Sequence, residues 1–196
     1  MRDRMPSAIL AAASGLVVLS ILSVAAYKVH SQEKPKPEVI QAQAMGQLRA
    51  SGKQFSVTVS IQSYSTPEDQ QMLIDAFTKG GHNALVKTLS KMKSKGRVAI
   101  TGTLGYQIAY IRTLPTENGR TIRLITDRPI NFPEAYAGTR TKDYDLSGIE
   151  LNLAPDPKQN TGSLVVAGKF KMDKTQQVTF ESYGSGPWRL TNIMER

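Results

Sequence analysis

The sequence predicts an α+β fold: an antiparallel, mostly meandering β-sheet or barrel of about eight strands with one helical hairpin, preceded by an N-terminal hydrophobic helix. Three observations predict it. Apolar and polar residues alternate from Phe55 onward and in several later segments, as in strands with one buried face. One stretch, Thr66 to Lys93, replaces that alternation with helical spacing. Short turns join most of the strands, and short connections favour antiparallel neighbours because parallel pairs need long crossovers.

The chain opens with Arg2 and Arg4 and then carries no charge from Pro6 to Tyr27. Residues 1–28 therefore read as a signal peptide or a membrane anchor. Ser23-Val24-Ala25 and Val24-Ala25-Ala26 supply the small residues that a cleavage site needs. The run from Ala8 to Tyr27 also meets the requirement of about 20 apolar residues for a spanning helix. Either form places the rest of the chain outside the cytoplasmic membrane. Residues 29–52 read as a linker, because Gln32 to Glu38 is polar and broken by Pro35 and Pro37. Val39 to Arg49 has the composition of a short helix with a thin apolar face.

Residues 53–196 form the expected β-rich domain. Phe55, Val57, Val59 and Ile61 point to one face of the first strand. Thr66-Pro67-Glu68-Asp69 is a helix start: Thr66 caps, Pro67 suits the first helical position, and Asp69 completes a capping box. Lys79-Gly80-Gly81 ends that helix. A second helix is expected from His82 to Lys93, stopped by Gly96. Strands follow at Arg97–Leu104, Tyr106–Thr113 and Arg120–Asp127, the last two joined by the Pro115–Gly119 turn. Further strands are marked by Ile149, Leu151 and Leu153, by Leu164, Val166 and Phe170, by Val178 and Phe180, and by Trp188 and Leu190.

Composition narrows the function. The chain has 196 residues, a formal charge of +9 and no cysteine, which excludes disulfides, thiolate metal sites and a cysteine nucleophile. With 40% apolar residues it has enough material for a core. The segments TGTLGYQIAYIR (101–112), GRTIRLITDRPINFPEAY (119–136) and YDLSGIELNL (144–153) resemble a family of exported bacterial proteins with no assigned activity. That resemblance implies export and a single domain, and it assigns no site.

No complete catalytic set stands out. His30 and His82 lack a second imidazole at helical spacing, and Asp143 and Asp145 lack the glycine and distal glutamate of a calcium loop. No metal and no cofactor is expected. Gly184-Ser185-Gly186 lacks the spacing of a nucleophile elbow, and Gly102 and Gly105 do not open a helix. Acid–base chemistry would draw on Asp127, Glu134, Asp143, Asp145 and Glu150, which otherwise are solvated loop acids.

Two surfaces remain. Residues 79–97 hold Lys79, Lys87, Lys91, Lys93, Lys95 and Arg97 without an acid, and Lys87, Lys91 and Lys95 recur at helical spacing. Such a stripe either is a solvated face or attracts an anionic lipid or an envelope polyanion. Nucleic acid is disfavoured by export and by the lack of an RNA-binding aromatic motif or zinc finger. The long connection from Asp127 to Ser147 is the second. It is expected to be ordered and to bring Arg128, Tyr136, Asp143 and Asp145 towards one concave, ligand-binding surface, or else to plug the open end of the sheet with its aromatics. The leading reading is a membrane-anchored or secreted non-enzymatic envelope domain that binds a ligand or partner. The alternatives are a hydrolase using carboxylates of residues 127–150 and an assembly protein docking through basic residues 82–95.

Overall fold

The structure, a computed structural model, describes residues 37–130, 143–172, 178–184 and 186–196. The hydrophobic segment and the expected membrane helix lie outside these residues, and no described helix is long and apolar enough to cross a membrane. The described strands are β1 (Glu38–Met45), β2 (Gln54–Ile61), β3 (Gly96–Ile100), β4 (Tyr106–Thr116), β5 (Gly119–Thr126), β6 (Leu146–Leu153), β7 (Thr161–Met172), β8 (Val178–Ser182) and β9 (Trp188–Glu195). Helix α1 spans Pro67–Leu89 between β2 and β3.

Strands β1 to β7 pair antiparallel in chain order, and β9 closes the ring between β7 and β1. The result is an eight-stranded closed barrel with β8 as an extra strand beside β7. The expected meander is present, and the choice between open sheet and barrel resolves to the barrel. One expectation is overturned at the N-terminal side. The linker expected over residues 29–52 is not one from Glu38 on, because β1 is a wall strand paired with both β2 and β9. Ile40, Ala42 and Ala44 alternate inward there. Alanine and glutamine carry little strand preference of their own, so pairing on both edges overrides local propensity.

Eight strands enclose a space that side chains can fill. Val57, Val59, Ile61, Val98, Ile122, Leu124, Leu151 and Leu164 join one buried interior cluster with Trp188. The Trp188 ring lies 4.8 Å from that of Phe55. In β4 a bulge between Ile108 and Tyr110 changes the phase. Ile108 and Ile111 both face inward, while Ala109 and Tyr110 join the outer cluster beneath α1.

The helix begins as expected: the Thr66 hydroxyl accepts from the Asp69 N–H, and the Asp69 carboxylate accepts from the Thr66 N–H. The expected helical hairpin lies within this one span, in which two helices meet across a kink. Gly80 and Gly81 leave helical geometry, with Gly81 at φ 62° and ψ −153°, a conformation suited to a residue without Cβ. The two halves fold back on each other, since Asp69 and Met72 line one groove with Lys87 and Thr88, and the second half ends at Leu89 rather than Lys93. Leu73, Leu85 and Leu89 pack on the outside of the barrel against Tyr110 and Leu146, with Phe77, Phe170 and Phe180 around them.

One mouth of the barrel is crossed by charge. Arg120 on β5 pairs with Glu38 on β1 and with Glu195 on β9. Strands β1 and β5 stand four places apart in the ring of eight, on opposite walls. Arg120 and Glu38 share the inward phase of Ile122 and Ile40, so the pair spans the opening. The Tyr64 hydroxyl donates to Glu38 at 2.7 Å. Burial, then the hydrogen bond to Glu38 and its negative charge, push the Tyr64 phenol up to about 12. A phenol held neutral above the ordinary value of about 10 stabilises the fold fully below pH 10, and that contribution is lost as pH rises through about 12. The 295 nm titration of the wild type minus that of Tyr64→Phe is expected to show this late phenol. A difference curve centred near the ordinary value of about 10 would refute the assignment.

Candidate functional site

Three surface features stand out, two of them at α1 and one on the outer wall of the barrel. The first is a basic groove of about 390 Å³ between the two ends of the helix. It is lined by Lys87, Lys91, Lys93 and Lys95, with Asp69 and Met72. The expected lysine stripe is altered here. Only Lys87 lies within α1, and Lys91 and Lys95 follow its end. Lys95 is largely buried and pairs with Asp69 at 2.7 Å. That ammonium holds the Asp69 carboxyl below its ordinary range, against the opposing effect of burial and with further help from the Thr66 N–H. Lys87, Lys91 and Lys93 remain exposed. Lys93 thus takes the place expected of Lys95, and Met72, about half exposed, adds an apolar patch among the ammonium groups.

The second is a histidine held at the helix kink. His82 follows Gly81 directly and is buried. Its Nε2 lies 2.6 Å from the Asp145 carboxylate, and its Nδ1 accepts from the Phe170 N–H at 3.2 Å. An accepting Nδ1 leaves the proton on Nε2, so the ring is the neutral tautomer that donates to Asp145. Both nitrogens are engaged, and neither is left to take a proton from a nucleophile. The contacts instead tie α1 to the start of β6 and the end of β7.

The third is a groove of about 610 Å³ on the outer barrel wall. Tyr110, Phe170, Phe180 and Val178 supply its apolar lining, and Arg112 and Arg123 line it as well. Phe180 lies over β6 and β7 at Gly148 and Gly168; a Cβ on Gly148 would stand 2.6 Å from its ring. Two glycines in neighbouring strands therefore make room for one aromatic ring. Phe170 stacks beside it at 4.6 Å between centroids.

Of the residues expected to share a concave surface, Arg128 and Asp145 have separate partners. Tyr136 lies outside the described residues, as does Glu134. The Arg128 guanidinium sits 5.7 Å above the Tyr106 ring and 3.9 Å from Asp127. Asp145 engages His82, and Asp143 is exposed. Tyr144 is half-buried, donates to Glu181 on β8 at 2.9 Å and packs on Tyr183. The start of the long connection is pinned, since the buried Ile130 donates its N–H to Ser147 Oγ at 2.7 Å. Among the described acids of this region, Glu150 pairs with Arg123 at 2.7 Å. No group of three or more His, Asp or Glu suited to a metal occurs among the described residues.

Compared with protein-family models, with curated proteins and with solved structures, the chain gives no match.

Sequence reading missed the His82–Asp145–Phe170 contact, whose members lie 63 and 88 residues from the histidine. No local pattern signals such a pair. Lys93 was visible as a member of the acid-free run, and the pairing of Lys95 with Asp69 promotes it over Lys95.

Proposed function

We propose that this chain is a non-enzymatic envelope domain that binds a ligand or partner on the outside of its barrel. Residues 8–27 hold it at the cytoplasmic membrane with the barrel outside the cytoplasm, or release it if they are cleaved. The observation that carries the reading is the packed interior behind a charge-crossed mouth, beside an outer groove that is open and lined with aromatics. Binding pockets are concave, mostly apolar and furnished with a few polar groups. Tyr110, Phe170 and Phe180 with Arg112 suit an aromatic or aliphatic ligand that carries a negative group. The engaged nitrogens of His82 and the cation beside Glu150 give the carboxylate-hydrolase alternative no added support.

Two measurements test this. Mass spectrometry of the full chain from membrane and soluble fractions distinguishes its forms. A membrane-bound start at Met1 supports the anchor, a start between Ala26 and Gln32 supports cleavage, and intact soluble cytoplasmic protein refutes both. The groove is probed with 1-anilinonaphthalene-8-sulfonate, an aromatic anion, on protein starting at Lys34, which retains every core residue of the barrel. Saturable binding weakened about tenfold by Arg112→Glu is expected, in keeping with loss of a charge-assisted contact. Binding indifferent to Arg112 would refute the groove as the site.

A further inference from the structure

The lysine groove and the point where the chain joins the barrel lie on the same side of the molecule. Strand β1 starts at Glu38, which faces Ile61 at the end of β2, and Ile61 in turn faces Gly96 at the start of β3. Glu38, Ile61 and Gly96 thus form one row across three neighbouring strands. Strand spacing of 4.7–4.9 Å puts the ends of that row about 10 Å apart. Lys95 directly precedes Gly96, and its carbonyl accepts from the Gln62 N–H at 2.8 Å. The lysine-rich turn is therefore fixed close to the first residue of the barrel, and its position does not depend on a free loop.

We infer that the face formed by Lys87, Lys91 and Lys93 docks on the anionic headgroups of the same bilayer that residues 8–27 enter. The inference rests on the membrane-anchored form of the reading above. Ten residues, 28–37, separate the apolar run from β1 and reach at most about 36 Å. Glu38 is then confined to within that distance of the membrane, and the row that starts at Glu38 ends about 10 Å away at Gly96, three residues after Lys93. Charge points to the occupant. The groove's one acid, Asp69, is paired with Lys95, so the three exposed ammonium groups face no other acid in the groove. A basic segment next to a membrane gains roughly fivefold in binding per lysine on an anionic surface. Three lysines give a gain of about 100-fold. This is weak for a protein free in solution, but tethering makes the encounter intramolecular and raises its effective concentration to the millimolar range. Met72, 52% exposed within the same groove, offers an apolar contact at headgroup depth.

The chain has no cysteine, so Ser90→Cys provides a unique attachment point for a dye. Ser90 is exposed and caps α1 between Lys87 and Lys91. The full chain is reconstituted in vesicles of phosphatidylcholine alone or mixed with phosphatidylglycerol, and energy transfer from the dye to headgroup-labelled lipid is measured. Strong transfer on the mixed vesicles and weak transfer on the neutral ones is expected. Salt at 1 M, where screening acts within about 3 Å, should abolish the difference. Joint Lys87→Glu, Lys91→Glu and Lys93→Glu substitution should lower the ratio of docked to undocked protein by at least about 100-fold. The corresponding Lys→Gln set should give a smaller drop and serves if the reversed set does not fold. Flotation separates the two levels of the argument. A chain that floats with both vesicles but brings position 90 equally near to each overturns the docking alone. A chain that floats with neither overturns the anchor, and the docking with it.

Discussion

Replacing Trp188 with alanine is expected to remove about 3–5 kcal/mol of stability, the range for truncating a buried aromatic side chain. The ring is 1% exposed at the start of β9 and packs against Phe55 from β2. A typical domain has only 5–15 kcal/mol in total, so the variant should sit near the edge of folding at room temperature. Trp188 is the only tryptophan, so its fluorescence reports wild-type unfolding, and far-UV circular dichroism must follow the variant. Urea midpoints differing by less than the equivalent of about 1 kcal/mol would mean that the interior adjusts, contrary to the packing described.

The second large effect is expected at His82. His82→Leu keeps an apolar group of similar bulk and removes both hydrogen bonds. The Phe170 N–H then loses its acceptor in a part-buried setting, and the partly buried Asp145 carboxylate loses its donor. Unsatisfied buried groups cost about 1–3 kcal/mol each, so a loss of about 2–4 kcal/mol is expected. Asp145→Asn should cost much less, because the amide carbonyl still accepts from Nε2–H. Hydrogen exchange gives a local reading: the Phe170 amide should exchange far faster in His82→Leu and stay protected in Asp145→Asn. Equal protection in all three proteins would remove the histidine from its place as the tie between helix and barrel.

Most of the barrel was legible because half-buried strands carry their inner face as alternate residues. Val57, Val59 and Ile61 do so, as do Ile149, Leu151 and Leu153, and all six face inward. Strand β1 was illegible for the opposite reason. Its inner residues include Ala42 and Ala44, whose size suits the interior but whose propensity points to helix. The β4 bulge was hidden too, since Ile108, Ala109, Tyr110 and Ile111 are all buried and no alternation survives to mark the phase. At Gly80–Gly81 the sequence announces a break in the helix but does not give its angle. The candidate site was legible only as composition. The acid-free run located the basic groove, while the division between exposed Lys93 and paired Lys95 depends on where Asp69 lies across the helix.

The seam between β1 and β9 has a consequence for how the chain reaches its fold. Gln43 and Thr191, which meet there, are 148 residues apart in sequence. Every other barrel pairing apart from that of β7 with β9 joins strands that are consecutive in the chain. A ribosome or translocation channel delivering this chain from its N-terminus releases β1 first and Trp188–Glu195 last. Until β9 arrives, β1 and β7 each present an unpaired row of N–H and C=O groups, the kind of edge that recruits strands from other molecules. Pairing between distant parts of a chain is also slow to form. The nascent protein therefore passes through an interval in which aggregation competes with closure, and a chaperone that covers β1 during that interval would act on yield without altering the finished barrel.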